Sequence, residues 1–183
     1  MNRWIQDCIS VDVETAGPYP GRYALLSIGA CRAADIQQQF YVELKPDRQD
    51  IDPGALAISG FSLQELEKTG TPPADALRDF ACWLDTSVNG RPIFVAFNAP
   101  FDWMFVQDYF HRYLGKNPFG HSALDMKALA MGVLGKGWPE TGMSNVSAAL
   151  GEPLQLEHNA LRDAQDQAEI FMALMERIQL SAT

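Results

Sequence analysis

Cys8-Ile9-Ser10-Val11-Asp12-Val13-Glu14-Thr15 is the stretch on which the reading of this chain turns. It alternates Ile and Val with small polar or acidic residues and runs into a Gly/Pro turn, so it reads as a β-strand. Side chains at i and i+2 of a strand share a face, which puts Asp12 and Glu14 on one side and Ile9, Val11 and Val13 on the other. Two carboxylates are then aimed at one point near a strand end, where α/β sheets place ligands and a hard cation finds oxygen donors. Taken alone, an Asp-x-Glu triplet reads more readily as an ordinary half-exposed strand end, and the rest of the chain has to decide.

Working outward, Ala16 to Gly21 is dense in turn formers, and Tyr23–Arg32 and Gln38–Leu44 read as two more strands joined by a hairpin at Ala33-Ala34-Asp35. These short connections predict three neighbouring antiparallel strands. Lys45 to Gly60 reads as loop with a short helix near Pro53–Ala57, and Ser62-Leu63-Gln64-Glu65 has capping-box spacing, with Phe61 just before the cap placed either to staple the helix or to point into a pocket. Thr71-Pro72-Pro73 opens a helix whose Leu77, Phe80, Ala81 and Leu84 recur as a buried stripe, ended at Asn89-Gly90. Pro92–Phe97 is a continuous apolar run, expected of a central strand covered on both faces. Asn98 follows as an N-cap and Pro100 in the first turn of a helix running to Leu114, so Asp102 lies at the end of a central strand.

Further on, Asp125 is read as making a structural hydrogen bond, 135–139 as a flexible basic loop, and Ser144 as the cap of a short helix ending at Gly151. The last long helix, Leu161–Leu180, carries Asp163 in its first turn. On one continuous helix His158 and Asp163 would point about 140° apart. They can serve one target only if His158 lies in the loop before the helix.

At 183 residues and 47% hydrophobic, the chain can bury a full core as one domain, 1–183. No run approaches the ~20 apolar residues of a membrane helix and the start lacks a signal-peptide core, so a cytoplasmic protein with no membrane partner is expected. Cys8, Cys31 and Cys82 are odd in number and set among apolar residues, as expected of reduced core thiols. The net charge of −9 opposes a basic groove for a long duplex, although two divalent cations held by four carboxylates would reduce the imbalance to about −5.

Asp12-x-Glu14, Asn98-x-x-Phe101-Asp102 after an apolar strand, and His158-x-x-x-x-Asp163 at a C-terminal helix stand in order along the chain. Together they resemble the three motifs of the DEDDh family of 3′→5′ exonucleases, over about Cys8 to Ile178. Within it the ribonuclease T group is the most similar, through Asp12–Gly17, Pro53–Ala57, Asn98–Asp102, Asn117-Pro118-Phe119 and His158–Asp163. Phe97, where that group has a histidine, and the acidic charge are departures. The resemblance implies a ribonuclease H-like mixed five-stranded sheet, three antiparallel strands then parallel ones, flanked by helices. It implies hydrolysis of phosphodiester bonds at the 3′ end of single-stranded RNA or short oligonucleotides, releasing nucleoside 5′-monophosphates, with a proofreading-type or free DNA exonuclease as the alternative and, behind it, a non-catalytic nucleic-acid-binding module on the same fold.

By the same resemblance Asp12, Glu14, Asp102 and Asp163 would hold two Mg²⁺ or Mn²⁺ ions, and His158 would be the general base. Val13, Thr15, Ala16, Ile58, Phe61 and Asn98 would contact substrate, with Thr15 and Ala16 at the terminal sugar and Ile58 and Phe61 against bases. A homodimer is expected over a monomer. Oxygen-only donors suit Mg²⁺ or Mn²⁺ and not zinc, which calls for Cys or more His.

Overall fold

The structure, a computed structural model, describes residues 3–151 and 158–181. Strands β1 (Cys8–Thr15), β2 (Leu25–Arg32), β3 (Asp35–Glu43), β4 (Ile93–Ala96) and β5 (Ala123–Asp125) form one sheet in the order β3-β2-β1-β4-β5. β1, β2 and β3 pair antiparallel, while β4 pairs parallel with β1 and β5 with β4. This is the mixed ribonuclease H-like sheet that was expected. The single-residue alternation of β1 sorts its side chains to two cores. Ile9, Val11 and Val13 join Phe94, Phe80, Phe105 and Phe110 beneath helices α3 (Pro73–Ser87) and α4 (Ala99–Leu114). Cys8 faces the opposite way with Val95, among residues of α5 (Met126–Leu134), α6 (Met143–Leu150) and α7 (Ala160–Ser181).

Two short helices, α1 (Pro53–Ser59) and α2 (Leu63–Thr69), turn back over the end of β1. Asp52 caps α1 through Gly54 and Ala55 N–H, and Ser62 caps α2 at the expected position. Phe61 is half-buried against the cluster holding Ala16, Leu26, Leu63 and Leu66, consistent with a staple.

Several local expectations are corrected. The helix expected from Ser144 is capped at Gly142, so Ser144 lies within its first turn. The loop at 135–139 includes a 3₁₀ turn at Trp138–Glu140. Cys8 and Cys31 are buried thiols but Cys82 is exposed on α3, on the helix face away from the Leu77–Phe80–Leu84 stripe. Among the described residues, no helix is long and apolar enough to cross a membrane.

Candidate active site

The antiparallel register aligns Asp12 with Gly29 and Tyr41, and Glu14 with Ser27 and Glu43, on the sheet face crossed by α7. Gly29 is what permits that crossing at close range. A Cβ there would sit 2.1 Å from the carbonyl carbon of Ala160 and 2.2 Å from Leu161 N, so the first turn of α7 lies directly on the bare backbone of β2. Asn159 caps this helix, its side-chain oxygen accepting from Arg162 N–H at 3.1 Å. In the same first turn Asp163 comes down over β1, and carboxylate oxygens of Asp12, Glu14 and Asp163 all lie within 4.8 Å of one another.

Asp102 arrives from the other side. β4 stops at Ala96, and its pairing with β1 ends at Ser10, leaving the adjoining edge of β1 open. Asn98 takes a left-handed conformation (φ 67°), which turns the chain sharply so that α4 points its first turn back at that edge. The Val13 N–H there donates to Asp102 Oδ1 at 3.1 Å. Asn98 makes no side-chain cap, contrary to expectation. Asp125 does that work, its Oδ1 accepting from Ala99 N–H at 3.0 Å and its Oδ2 from Ala128 N–H at 3.1 Å, so one carboxylate ties the starts of α4 and α5 together.

Gln167 is the residue that sequence reasoning missed. Buried on α7 one turn beyond Asp163, it donates from Nε2 to Asp12 Oδ1 at 2.7 Å and accepts from Phe97 N–H through Oε1 at 2.8 Å. Its place four residues after Asp163 put it on the same helix face, the one signal available from the sequence. Asp166, also one turn on, lies 3.7 Å from Arg162 and is not in the three-acid group.

The electrostatics follow from packing anions together. Burial, then the charges of Asp102, Asp163 and Glu14, push Asp12 well above the carboxylate range, against the Gln167 hydrogen bond. Burial and Asp163 raise Glu14 to about 7. Asp102 is raised to about 8, by burial first and by Glu14 and Asp125 after the opposing backbone hydrogen bonds. Such a cluster is ionised at neutral pH only with compensating positive charge, and an all-oxygen donor set at this spacing fits a hard divalent cation.

The remaining predicted contacts divide. His158 is exposed, in a left-handed turn (φ 53°) two residues before α7, and lies outside the three-acid group. Ile58 is 57% exposed and Phe61 half-buried on the α1–α2 corner. Thr15 and Ala16 do not present side chains to an open site, as was expected of them. The Thr15 hydroxyl donates to Gly17 O at 2.9 Å, and Ala16 is fully buried with its N–H bonded to Ala24 O and its carbonyl to Asp52 N–H. Val13 likewise buries its side chain and gives its N–H to Asp102.

An acidic cluster at the carboxyl end of the central strand of a mixed ribonuclease H-like sheet defines a class of nuclease, and the exonuclease family model matches residues 9–171; the chain belongs to that family. It is 45% identical to the 3′-5′ DNA exonuclease Cap18 of Escherichia coli, over 89% of this chain and 88% of that protein. Ribonuclease T of Marinobacter nauticus is 28% identical over 92% of this chain and 82% of its own length. The fold superimposes on the nuclease domain of 3′hExo, a DEDDh family member, with a TM-score of 0.76 at 11% identity, covering 92% of this chain and 91% of that one. The chain is a 3′→5′ exonuclease of DEDDh fold.

Proposed function

We propose that this enzyme removes nucleotides one at a time from the 3′ ends of single-stranded DNA, using two divalent cations, Mg²⁺ or Mn²⁺. The observation that carries the reading is the convergence of Asp12, Glu14 and Asp163 from two elements, with Asp102 reaching the same strand from a third. Choice of DNA is supported by the 45% identity to a DNA exonuclease against 28% to ribonuclease T. Single-stranded RNA is the second reading, carried by the ribonuclease T similarity.

Asp12, Glu14, Asp102 and Asp163 would hold the cations, which supply the Lewis acidity and charge neutralisation that phosphodiester hydrolysis needs. Gln167 fixes the rotamer of Asp12 by a hydrogen bond to one oxygen, leaving the other to coordinate. The Val13 N–H holds Asp102 in the same way. His158, exposed two residues before α7, is the base that takes the proton from the attacking water. Ile58 and Phe61 offer apolar faces to the terminal base without reading its identity. The test is to digest matched DNA and RNA strands with Mg²⁺ and with Mn²⁺. A higher kcat/KM on DNA is expected, and preference for RNA would reverse the assignment.

A further inference from the structure

The 3₁₀ turn after α5 presents an indole to solvent. Trp138 is 53% exposed, so the ring gives the fold only part of what its burial could contribute. The Lys127 ammonium sits over the ring at 4.3 Å from its centroid, occupying one face and leaving the exposed surface for another planar group. The turn that carries the ring is held in shape. Glu140 accepts from Gly137 N–H through Oε2 at 3.1 Å, and its other oxygen lies 3.8 Å from Lys136 Nζ. The Lys127 ammonium on this ring sets a cation beside an exposed aromatic face in a chain of net charge −9.

The position of this feature relative to the acids gives it a use. Lys127 is in the first turn of α5, at the carboxyl end of β5, and the sheet order places β5 two strands from β1. Two inter-strand steps amount to roughly 10 Å along the same carboxyl edge. On the opposite flank of the acids the α1–α2 corner packs against Ala16, Tyr23 and Leu26 beside β1 and carries Ile58 and Phe61. A strand whose terminal nucleotide lies toward that corner leaves the acids on the β4–β5 side.

We infer that Trp138 and Lys127 form a second subsite that stacks one base and holds a phosphate of the same single strand, at least two nucleotides 5′ of the nucleotide being removed and so beyond the reach of a dinucleotide. This rests on the exonuclease reading and extends it. Stacking on an indole is sequence-tolerant, and Lys127 supplies a phosphate attraction beside it.

The test compares wild type, Trp138→Ala, Trp138→Phe and Lys127→Gln on a thymidine dinucleotide and a thymidine ten-mer. Trp138→Ala is expected to raise KM for the ten-mer roughly tenfold, within the range of a lost base–aromatic stack, and to leave dinucleotide kcat and KM unchanged. Trp138→Phe should restore the ten-mer KM while losing part of the tryptophan-fluorescence quench that the ten-mer produces in wild type. Lys127→Gln should reduce the salt slope for the ten-mer by about one. The subsite is overturned if ten-mer KM in Trp138→Ala stays within twofold of wild type, or if both substrates suffer equally. If wild type cleaves neither substrate, the exonuclease reading fails, and the quench comparison alone then decides the subsite.

Discussion

Gly29→Ala adds one methyl group at the point where α7 rests on the sheet. Its Cβ would meet the Ala160 carbonyl carbon at 2.1 Å, its oxygen at 2.2 Å and Leu161 N at 2.2 Å, all backbone atoms that cannot rotate away. Reaching ordinary van der Waals contact requires the first turn of α7 to retreat by about 1.3 Å. Asp163 is in that turn and Gln167 in the next, so both acidic convergence and the Asp12 hydrogen bond move with it. Overpacking of this kind costs about 1–3 kcal/mol, and misplacement by about 1 Å can cost 10²-fold in rate. Thermal unfolding and kcat on a 5′-labelled strand measure the two effects, and calorimetric titration with Mn²⁺ should show weakened binding. A Gly29→Ala protein with wild-type Tm, Mn²⁺ affinity and kcat would refute the account of how α7 delivers Asp163.

Asp12→Ala should abolish hydrolysis and, by removing one of four crowded anions, raise the Tm of the metal-free protein near pH 8; both are read by activity assay and thermal melts in EDTA. The metal-free protein should lose stability as pH rises. Glu14 and Asp102, raised to about 7 and about 8, bind protons in the folded state that the unfolded chain has already released, so stability is full below about pH 4 and declines through pH 7–8. Melts at pH 5 and pH 8.5 check this, and added Mg²⁺ should cancel most of the difference at the higher pH. His158→Ala should keep Mn²⁺ affinity and lose roughly 10²–10⁴-fold in kcat, the usual share of a general base; a calorimetric loss of affinity would make His158 a ligand instead.

The strand periodicity of Cys8–Thr15 was enough to put Asp12 and Glu14 on one face, because a period of two leaves no other arrangement. The short hairpin at Ala33-Ala34 likewise told that β2 and β3 are neighbours, and the apolar Pro92–Phe97 run that β4 lies inside the sheet, though not beside which strands. What local pattern could not show is where a helix from the far end of the chain lands. Gly29 has the sequence context of any strand glycine, and its purpose exists only in the 2.1 Å approach of Ala160. Gln167 was passed over for the same reason, since an uncharged side chain on a helix face carries no mark of the two hydrogen bonds it makes across the sheet. Asn98 and Ser144 misled because residues that favour caps also serve elsewhere: Asn98 supplies a left-handed turn, and Gly142 starts the helix ahead of Ser144. Thr15 and Ala16, next to the acids in sequence, were expected to line the site, but the turn after β1 folds them inward.

The most direct measurement is a time course on a single-stranded DNA oligomer carrying a 5′ label, run with Mg²⁺, with EDTA, and with a Glu14→Gln protein. The expected result is a ladder of labelled strands shortening by one nucleotide at a time, nucleoside 5′-monophosphates in the supernatant, and no shortening in EDTA or in the variant. Immediate release of the label as a mononucleotide, or a ladder that forms equally well in EDTA, would contradict it.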